Sequence, residues 1–489
     1  MLKTMSYELA SRLRDTFQQL EYSTEGLEAI FGTASPPLDQ NRNRSRFEYF
    51  LNEENAQNTL IRLFLMGETL PRDRAYDLLG QEWMGLAGEI GLTAEDGDLV
   101  AATLMIVPYK NMLVASDFPI SSAVPKPDDY VIPLGPSAYS LFDMTIRRHN
   151  HLTLDLGTGC GVHAIAAARH SNRVLATDIS PRSLEVTKFN AALNLMDNIE
   201  TRQGSLFEPV FNDRFDLIVS NPPFVIVPSQ NFTYRENSLE LDGLAKTLVQ
   251  TAPRNLREGG YFQMVFEWVQ IDEQPWEERL ASWFQSTGCD AWLVKTATEH
   301  PSWYAHYRLR ELVQKSEADD ARIYADCMSY YNEHKVTAVH GGMVTMRKRE
   351  GKNWLRVETM PDGASGELGP SFLKGFAARD FIEENEDAKF PATRLKLSPS
   401  VEAVLHSQFR EGSWATGKID LNLRDAFPVS VEMDGSAVEF LGGFDGQRTT
   451  GEVLNALLGQ IPEDQRARVK NEALRMVMSM VERGVLVSA

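Results

Sequence analysis

The chain has 489 residues, of which 43% are hydrophobic, and a formal net charge of −19 at pH 7. This length predicts about two or three domains, and the composition is sufficient for a sizeable core. The negative charge argues against non-specific nucleic-acid binding, because phosphate neutralisation supplies most of that affinity, although it does not exclude a local basic patch.

Three cysteines, Cys160, Cys289 and Cys327, lie far apart in the sequence. Because they form neither a C-x-x-C pair nor a Cys/His cluster, we expect reduced thiols and no metal site. The sequence also lacks an apolar run of about 18 residues and a secretory segment at its first residues. These features predict a cytoplasmic protein without a membrane partner.

Residues 1–120 are predicted to form a helical, winged-helix-like domain, because apolar residues recur at helical spacing before a hairpin. Such a module can bind nucleic acid, but its few lysines and many acids favour protein docking or dimerisation. The predicted elements are helices at 6–20, 58–66, 75–79 and 83–87, and strands at 99–108 and 111–116.

Residues 152–156 form a short apolar run that is typical of a buried parallel strand, and helix formers occupy 162–169. The turn between them has the pattern G-x-G-x-G, which differs from the dinucleotide pattern G-x-G-x-x-G. Asp155 precedes this turn, where a carboxylate would repel a pyrophosphate but could pair with an ammonium group. A tight turn without a ligand is the alternative. The glycines are Gly157, Gly159 and Gly161.

Residues 173–178 predict the next strand, which ends in Asp178. Ser180 and Pro181 then begin a helix as N-cap and first-turn proline. An acid about 20 residues after a glycine turn commonly accepts hydrogen bonds from ribose hydroxyls. A purely structural turn cap is the alternative for Asp178.

A third apolar strand at 215–219 leads into the NPPF segment, which consists of Asn221, Pro222, Pro223 and Phe224. The prolines end the strand and fix the chain, and the Pro222 carbonyl is free to accept a hydrogen bond from a ligand. Asn221 adds a second acceptor, and Phe224 can stack on a flat group. The segment therefore suits a planar amide or base amino group, with a simple strand-ending turn as the alternative.

In this order, the three features resemble class I S-adenosylmethionine-dependent methyltransferases of the Asn/Asp-Pro-Pro-aromatic subgroup. That subgroup includes the release-factor glutamine amide methyltransferases and the exocyclic-amine methyltransferases of adenine and guanine. The resemblance covers roughly residues 125–350. It implies an α/β, Rossmann-like fold with a seven-stranded sheet, and S-adenosyl-L-methionine as the cofactor.

The resemblance also implies residue roles. Asp155 and the glycine backbone would hold the methionine part of the cofactor, and Asp178 would bind the ribose hydroxyls. The turn containing Ser205 and Leu206 would lie along the adenine, although many relatives have an acid where Ser205 stands. Residues 132–137 match only loosely a proline-containing segment of the glutamine enzymes, and they lack its Thr-Glu pair.

At the NPPF segment, the resemblance implies that the Asn221 oxygen and the Pro222 carbonyl hold the target nitrogen. Pro223 would keep this backbone rigid, and Phe224 would stack beside the target group. The partner would be a protein or nucleic acid that carries a planar amino or amide nitrogen.

The predicted catalytic domain covers 121–353, after a proline-containing linker at 124–129. Alternating strands and helices predict a parallel sheet with helices on both faces. Loops at 232–236 and 299–304 are candidate substrate walls, with ordinary loop packing as the alternative. After the NPPF segment we expect helices near 239–252, 276–284 and 318–332, and strands at 260–266, 291–295 and 342–347.

Residues 354–489 are predicted to form a C-terminal α+β domain with a winged-helix-like order of elements. Residues 383–387 are an acidic run that predicts a solvated loop. Strands are expected from Ser398, a turn at 444–446, and a helix capped by Thr450. A last helix at 465–482 would precede a short terminal strand.

The sequence leaves three functions open. Methylation of a protein glutamine amide fits the acidic charge and the glycine turn. Methylation of an exocyclic base amine in RNA or DNA fits the NPPF segment equally well. A non-catalytic cofactor-binding regulator is the third, and a small-molecule amine is a further substrate class that the sequence leaves open.

Overall fold

The computed structural model describes the chain except residues 1, 4, 34–39, 120–128, 229–238, 273, 313–316, 362, 363, 365, 386–388, 411, 424–426, 428 and 429. The expected loop at 232–236, most of the expected linker at 124–129 and the end of the acidic run at 383–387 lie outside the described residues. Contacts divide the chain into two compact units, one of residues 1–142 and 148–358 and one of 143–147 and 359–489.

Among the described residues, the first unit begins with six helices and five short strands. The helices are α1 (Tyr7–Gln19), α2 (Thr24–Phe31), α3 (Gln40–Phe50), α4 (Ala56–Leu60), α5 (Arg72–Leu79) and α6 (Gln81–Glu89), and α4 continues into a π-helical turn at Ile61–Leu65. The strands are β1 (Leu70–Pro71), β2 (Thr93–Asp96), β3 (Leu99–Ala102), β4 (Met105–Tyr109) and β5 (Met112–Ser116). They form an antiparallel sheet in the order β1-β3-β2 and a β4-β5 hairpin.

The single strand expected at 99–108 is two strands, so this prediction is wrong. Thr103 interrupts it, because its amide donates to the Leu92 carbonyl (3.0 Å) and its hydroxyl donates to the Gly91 carbonyl (2.6 Å). The β4-β5 hairpin turns at Lys110 and Asn111, whose φ angles of 47° and 62° are those of a two-residue hairpin turn.

The rest of the first unit alternates strands and helices around one large sheet. Its helices are α7 (Pro136–Met144), α8 (Val162–Ala168), α9 (Pro181–Leu193), α10 (Gly243–Thr251), α11 (Trp276–Phe284), α12 (Pro301–Leu312) and α13 (Glu317–Glu333). Its strands are β6 (Asn150–Leu156), β7 (Ser171–Asp178), β8 (Ile199–Gln203), β9 (Phe215–Ser220), β10 (Leu256–Ile271), β11 (Cys289–Glu299), β12 (Val336–Lys348) and β13 (Leu355–Thr359).

The sheet has the order β13-β11-β12-β10-β9-β6-β7-β8. Strands β8, β7, β6, β9 and β10 are parallel, and β12 runs antiparallel to both β10 and β11. This is a doubly covered α/β sheet, which explains the continuous apolar runs of β6 and β9.

Two expectations for this sheet are corrected. In the described part of the chain the sheet has eight strands instead of the expected seven, because β13 adds an edge strand beside β11. The expected loop at 299–304 is the end of β11 followed by the first turn of α12. Pro301 stands at the start of α12, where a proline is tolerated because its missing N–H would have no partner within the helix.

The N-terminal helices share one hydrophobic core with α8 and α9. Apolar side chains of both parts are fully or almost fully buried together, so the N-terminal region packs directly on the helix that follows Asp178. This shared core includes Leu13, Phe17, Phe64, Met84, Val186, Phe189 and Leu193.

Asn190 of α9 and Asn194, which caps the C-terminal end of α9, bind the backbone of β5 as a neighbouring strand would. Asn190 accepts from the Ala115 amide (2.8 Å) and donates to the Ala115 carbonyl (2.7 Å). Asn194 makes the same pair of bonds with Leu113, at 3.0 and 2.7 Å. Because the two asparagines are four residues apart, they lie on one face of the helix. Asn190 also donates to the carbonyl of Cys160, in the glycine turn (2.8 Å).

We expect Asn190→Ala to lower the free energy of unfolding by about 2 kcal/mol, because it leaves buried backbone groups without partners. Chemical denaturation of the full chain would measure this. Asn172, whose side chain bonds His151 at the surface, offers an alanine control that should change little. Equal effects of the two variants would contradict the strand-like role of Asn190.

The described residues of the second unit form four α-helices, a 3-10 turn at Phe390–Ala392 and six strands. The helices are α14 (Gly369–Glu384), α15 (Gly435–Gly442), α16 (Thr450–Leu458) and α17 (Arg466–Glu482). The strands are β14 (Arg394–Leu397), β15 (Val401–Arg410), β16 (Ser413–Leu423), β17 (Ser430–Met433), β18 (Asp445–Thr449) and β19 (Leu486–Ser488). They form two sheets of three strands, in the orders β18-β14-β19 and β15-β16-β17.

Two local expectations in this unit are corrected. Asp445, expected in a turn, begins β18. The cap of α16 is Thr449 rather than Thr450, because Thr449 and Glu452 form a capping box. Among the helices of the described ranges, none is both long and apolar enough to cross a lipid bilayer.

Candidate active site

Three polar residues from three neighbouring strands lie at one edge of the large sheet. The parallel strands run in the order β7-β6-β9, so their carboxyl ends meet at this edge. Asp155 is the penultimate residue of β6, Asp178 ends β7, and Asn221 directly follows β9. Open α/β sheets bind ligands at this edge.

The glycine turn after β6 has a left-handed backbone at each of its glycines. The φ angles are 74° at Gly157, 54° at Gly159 and 82° at Gly161, a region that favours glycine. A Cβ at Gly161 would lie 2.9 Å from the side chain of Thr187, so α9 packs closely on the turn there. Beside Gly157 and Gly159, in contrast, a Cβ would meet no atom within 4 Å, so a ligand can approach this backbone.

Asp155 is buried beneath the glycine turn, with 1% of its surface exposed. Its Oδ2 accepts from the Thr158 hydroxyl (2.6 Å) and from the Ala164 amide (3.0 Å). Its Oδ1 is also buried and has no hydrogen-bond partner among the described residues. Burial raises the pKa of Asp155 to about 7, since it removes the carboxylate from water. A cationic ligand group would satisfy the unpaired oxygen.

Asp178 joins the glycine turn to the start of α9. One carboxylate oxygen accepts from the Gly159 amide and the other from the Ser180 amide, both at 2.9 Å. Burial raises the pKa of Asp178, and the bonds from Ser180 and Gly159 act in the opposite direction. Each carboxylate oxygen can accept more than one hydrogen bond, so these contacts leave capacity for hydroxyl groups of a ligand.

The turn with Ser205 and Leu206 lies next to Asp178, because the Gly204 amide donates to the Asp178 carbonyl (3.0 Å). Leu206 has a φ of 48° and is 38% exposed, and Ser205 is exposed as well. This arrangement brings an apolar side chain to the same edge of the sheet.

The NPPF segment leaves the sheet with its asparagine amide already oriented. The Asn221 Nδ2 donates to the Ser137 hydroxyl oxygen (3.2 Å), so the amide oxygen is the atom that could accept from a substrate nitrogen. Pro222 is buried, whereas Pro223 and Phe224 are half-buried. Ser220, the residue before Asn221, is held in place because its hydroxyl donates to the Leu156 carbonyl (2.8 Å).

Ser137 is a residue of this site that sequence reasoning missed. It lies in the first turn of α7, within the run 132–137 that matches the glutamine enzymes only loosely. The available signal was a hydroxyl residue directly after the prolines of that run. Its contact with Asn221, which lies 84 residues away in the sequence, gives no local pattern.

Comparison with known proteins agrees with this geometry. Residues 139–289 match the family described as Methyltransferase small domain. A release factor glutamine methyltransferase of Xylella fastidiosa is 34% identical over 148 residues, which cover 27% of this chain and 54% of that protein. A ribosomal RNA small subunit methyltransferase C of Escherichia coli is 35% identical over 114 residues, which cover 23% and 30%.

A crystal structure of a ribosomal protein L11 methylase from Lactobacillus delbrueckii subsp. bulgaricus also matches, with 26% identity and a TM-score of 0.23 over 31% of this chain and 65% of that one. The chain spans about half the length of the glutamine methyltransferase relative and less than a third of the ribosomal RNA one. Residues 139–289 therefore match a methyltransferase family, in agreement with the resemblance to class I S-adenosylmethionine-dependent methyltransferases that the sequence predicts.

The residues at the sheet edge fit the cofactor of this family, S-adenosylmethionine. The unpaired Asp155 Oδ1 suits the ammonium group of the methionine part of the cofactor. The open space beside Gly157 and Gly159 leaves room for the rest of that methionine part. Asp178 and the Leu206 turn lie further along the same edge, where ribose and adenine would be held.

We expect the affinity for S-adenosylmethionine to fall as the pH drops below about 7, because Asp155 must be ionised to pair with an ammonium group. Bound ammonium favours the ionised carboxylate, so binding lowers the pKa of Asp155 and releases protons, and fewer protons are released at higher pH. Isothermal titration calorimetry between about pH 6 and 7.5, below the usual pKa of an α-amino group, measures this. Asp155→Asn should bind weakly and without this slope. A wild-type affinity that is flat over this range would contradict the pairing.

Proposed function

We propose that the chain transfers a methyl group to a planar amide or amino nitrogen, with a protein glutamine amide as its substrate. The observation that carries this proposal is the NPPF segment at the carboxyl edge of β9, with the Asn221 amide oriented by Ser137. A planar nitrogen with two N–H groups needs two acceptors in one plane, and the Asn221 oxygen and the Pro222 carbonyl are suited to that task.

The bound cofactor supplies a methyl group on a positively charged sulfur. The residues of the chain need mainly to align the acceptor nitrogen, because the reaction is an in-line displacement that requires no strong base before the bond forms. Asn221 and the Pro222 carbonyl would hold the two N–H bonds, so that the nitrogen lone pair faces the methyl carbon. Phe224 would stack on the planar acceptor group and so restrict its orientation.

The glutamine substrate is supported by the relative named release factor glutamine methyltransferase, which shares 34% of 148 residues with this chain. The formal charge of −19 also favours a protein over a polyphosphate partner. A base amine in RNA is the second candidate, supported by the relative named ribosomal RNA small subunit methyltransferase C. In that case the winged-helix-like regions proposed at 1–120 and 354–489 would take part in RNA binding.

The experiment is a transfer assay with methyl-labelled S-adenosylmethionine and fractionated lysate that retains both protein and RNA. Label that survives nuclease and disappears with protease, and that is recovered on a glutamine side chain after complete enzymatic digestion, would support the proposal. Label that is lost on nuclease treatment would indicate that the substrate is a base amine and not a glutamine amide. Cofactor binding without any label in either fraction would contradict both and would favour a regulator or a small-molecule acceptor.

A further inference from the structure

The chain that leaves the NPPF segment is held by two tyrosine hydroxyls from the helices between β11 and β12. The Ile226 amide donates to the Tyr304 hydroxyl of α12 (2.9 Å). The Tyr331 hydroxyl of α13 donates to the Ile226 carbonyl (2.7 Å). Ile226 is 1% exposed, so both of its backbone groups depend on these tyrosines instead of water.

The Tyr304 hydroxyl is itself oriented by a buried carboxylate. It donates to Oε2 of Glu267, and the Arg308 guanidinium pairs with Oε1 of the same residue. Glu267 is only 7% exposed, and its burial raises its pKa, against which the charge of Arg308 acts. Because the hydroxyl proton points to Glu267, a lone pair of the Tyr304 oxygen is directed to the Ile226 amide.

This network lies beyond the edge of the sheet at which the site is built. Met264 of β10 pairs with Ser220, the last residue of β9, so Glu267 stands three residues further along β10. Ile226 in turn follows the NPPF segment by two residues. The strand β10 thus extends past the site. Its Glu267 carboxylate is connected through Tyr304 to Ile226, just after the NPPF segment.

We propose that Glu267 and Tyr304 are positioning residues for methyl transfer, which fix the NPPF segment by anchoring Ile226. This inference rests on the proposed function and names residues that support its site. Neither side chain touches the reacting atoms. They act on the backbone two residues downstream of Phe224, so that the Pro222 carbonyl and the Asn221 amide keep one position.

The expected size of the effect follows from the geometry of in-line displacement. A shift of the acceptor by about 1 Å can lower the rate by about a hundredfold. Tyr304→Phe removes one oxygen and leaves the Ile226 amide buried without an acceptor. The buried, unpaired amide would favour a shift of the NPPF segment. Glu267→Gln keeps the size of the side chain, but its amide group can donate to Tyr304 and turn the hydroxyl proton towards Ile226.

The test compares Tyr304→Phe and Glu267→Gln with the wild-type full chain. We expect the initial rate of label transfer to the lysate fraction, at saturating S-adenosylmethionine, to fall about ten- to a hundredfold. The dissociation constant of S-adenosylmethionine should stay within about twofold, because the glycine turn, Asp155 and Asp178 are untouched. Tyr331→Phe, which removes the donor to the Ile226 carbonyl, provides an independent variant if Tyr304→Phe does not fold.

Tyr22→Phe is the matched control for lost stability. Tyr22 is 2% exposed, and its hydroxyl donates to the Ile106 carbonyl (2.7 Å) in the N-terminal region. It therefore loses the same kind of buried hydrogen bond as Tyr331→Phe, a hydroxyl that donates to a backbone carbonyl, away from the site. Its thermal midpoint should fall by a similar amount, while its transfer rate at a temperature well below that midpoint stays at the wild-type level.

The outcomes separate this inference from the proposed function. Wild-type protein that binds the cofactor but labels no acceptor would overturn the proposed function itself. If the wild type transfers label and Asn221→Ala does not, normal rates in Tyr304→Phe, Tyr331→Phe and Glu267→Gln would overturn the positioning role alone. A parallel loss of cofactor affinity and rate in these variants would likewise overturn it, because it would indicate general loosening.

Discussion

Asn221→Ala is expected to lower the rate of methyl transfer by about two to three orders of magnitude, because it removes an oriented acceptor whose contribution is confined to alignment of the reacting nitrogen. The affinity for S-adenosylmethionine should remain within about twofold, since the Asn221 side chain bonds Ser137 of α7 and the glycine turn is unchanged. Single-turnover labelling of the lysate acceptor and calorimetric cofactor binding measure the two quantities.

A graded pair of variants makes this expectation specific. Ser137→Ala keeps both acceptors but releases the Asn221 amide, so we expect a smaller loss, of about tenfold. Asn198→Ala is the control, because the Asn198 amide donates to the carbonyls of Ala168 and Ser171 (2.9 and 2.8 Å) at a distance from the NPPF segment. A loss of cofactor affinity in Asn221→Ala as large as the loss of rate would contradict a role confined to the acceptor.

The parts of the site that the sequence predicted are those encoded by short stretches. The glycine turn requires left-handed backbone at three positions, and glycine supplies that conformation at little cost. Asp155 and Asp178 stand at strand ends, which apolar runs mark directly. The positions of these residues at one edge then follow from the parallel order of β7, β6 and β9.

The supporting contacts could not be predicted in this way, because each joins residues far apart in the chain. Ser137 and Asn221 are separated by 84 residues, and Tyr304 and Ile226 by 78. Glu267 lies in a strand that extends further than its apolar pattern indicated, from the expected 260–266 to Leu256–Ile271. Only the register of β10 on β9 brings that carboxylate beyond the sheet edge.

The packing of the N-terminal region on α9 could also not be predicted from the sequence of α9 by itself. Asn190 and Asn194 are visible at a spacing of four residues, but asparagine has low helix propensity and ordinarily indicates a cap or a turn. Their role becomes apparent only with β5 beside them, where they satisfy the amides and carbonyls of Leu113 and Ala115. The arrangement links this packing to the glycine turn through the Cys160 carbonyl.

Asp178→Ala should have the opposite effect to Asn221→Ala and raise the dissociation constant of S-adenosylmethionine by about a hundredfold, because two contributions are lost together. The ribose hydroxyls would lose a charged acceptor. The Gly159 and Ser180 amides would lose the carboxylate that now accepts from both at 2.9 Å. At saturating cofactor the rate of transfer should recover, since the NPPF segment is unchanged.

The two contributions can be separated with S-adenosylhomocysteine and its 2′,3′-dideoxy analogue. If Asp178 accepts from the ribose, removal of the hydroxyls should weaken binding to the wild type by about tenfold or more and have little further effect on Asp178→Ala. An equal loss in both proteins would mean that Asp178 acts only by holding Gly159 and α9. Burial raises the pKa of the Asp178 carboxyl, and the hydrogen bonds from the Ser180 and Gly159 amides act against this rise. Ribose hydroxyls that donate to the same carboxylate would also favour its ionised form.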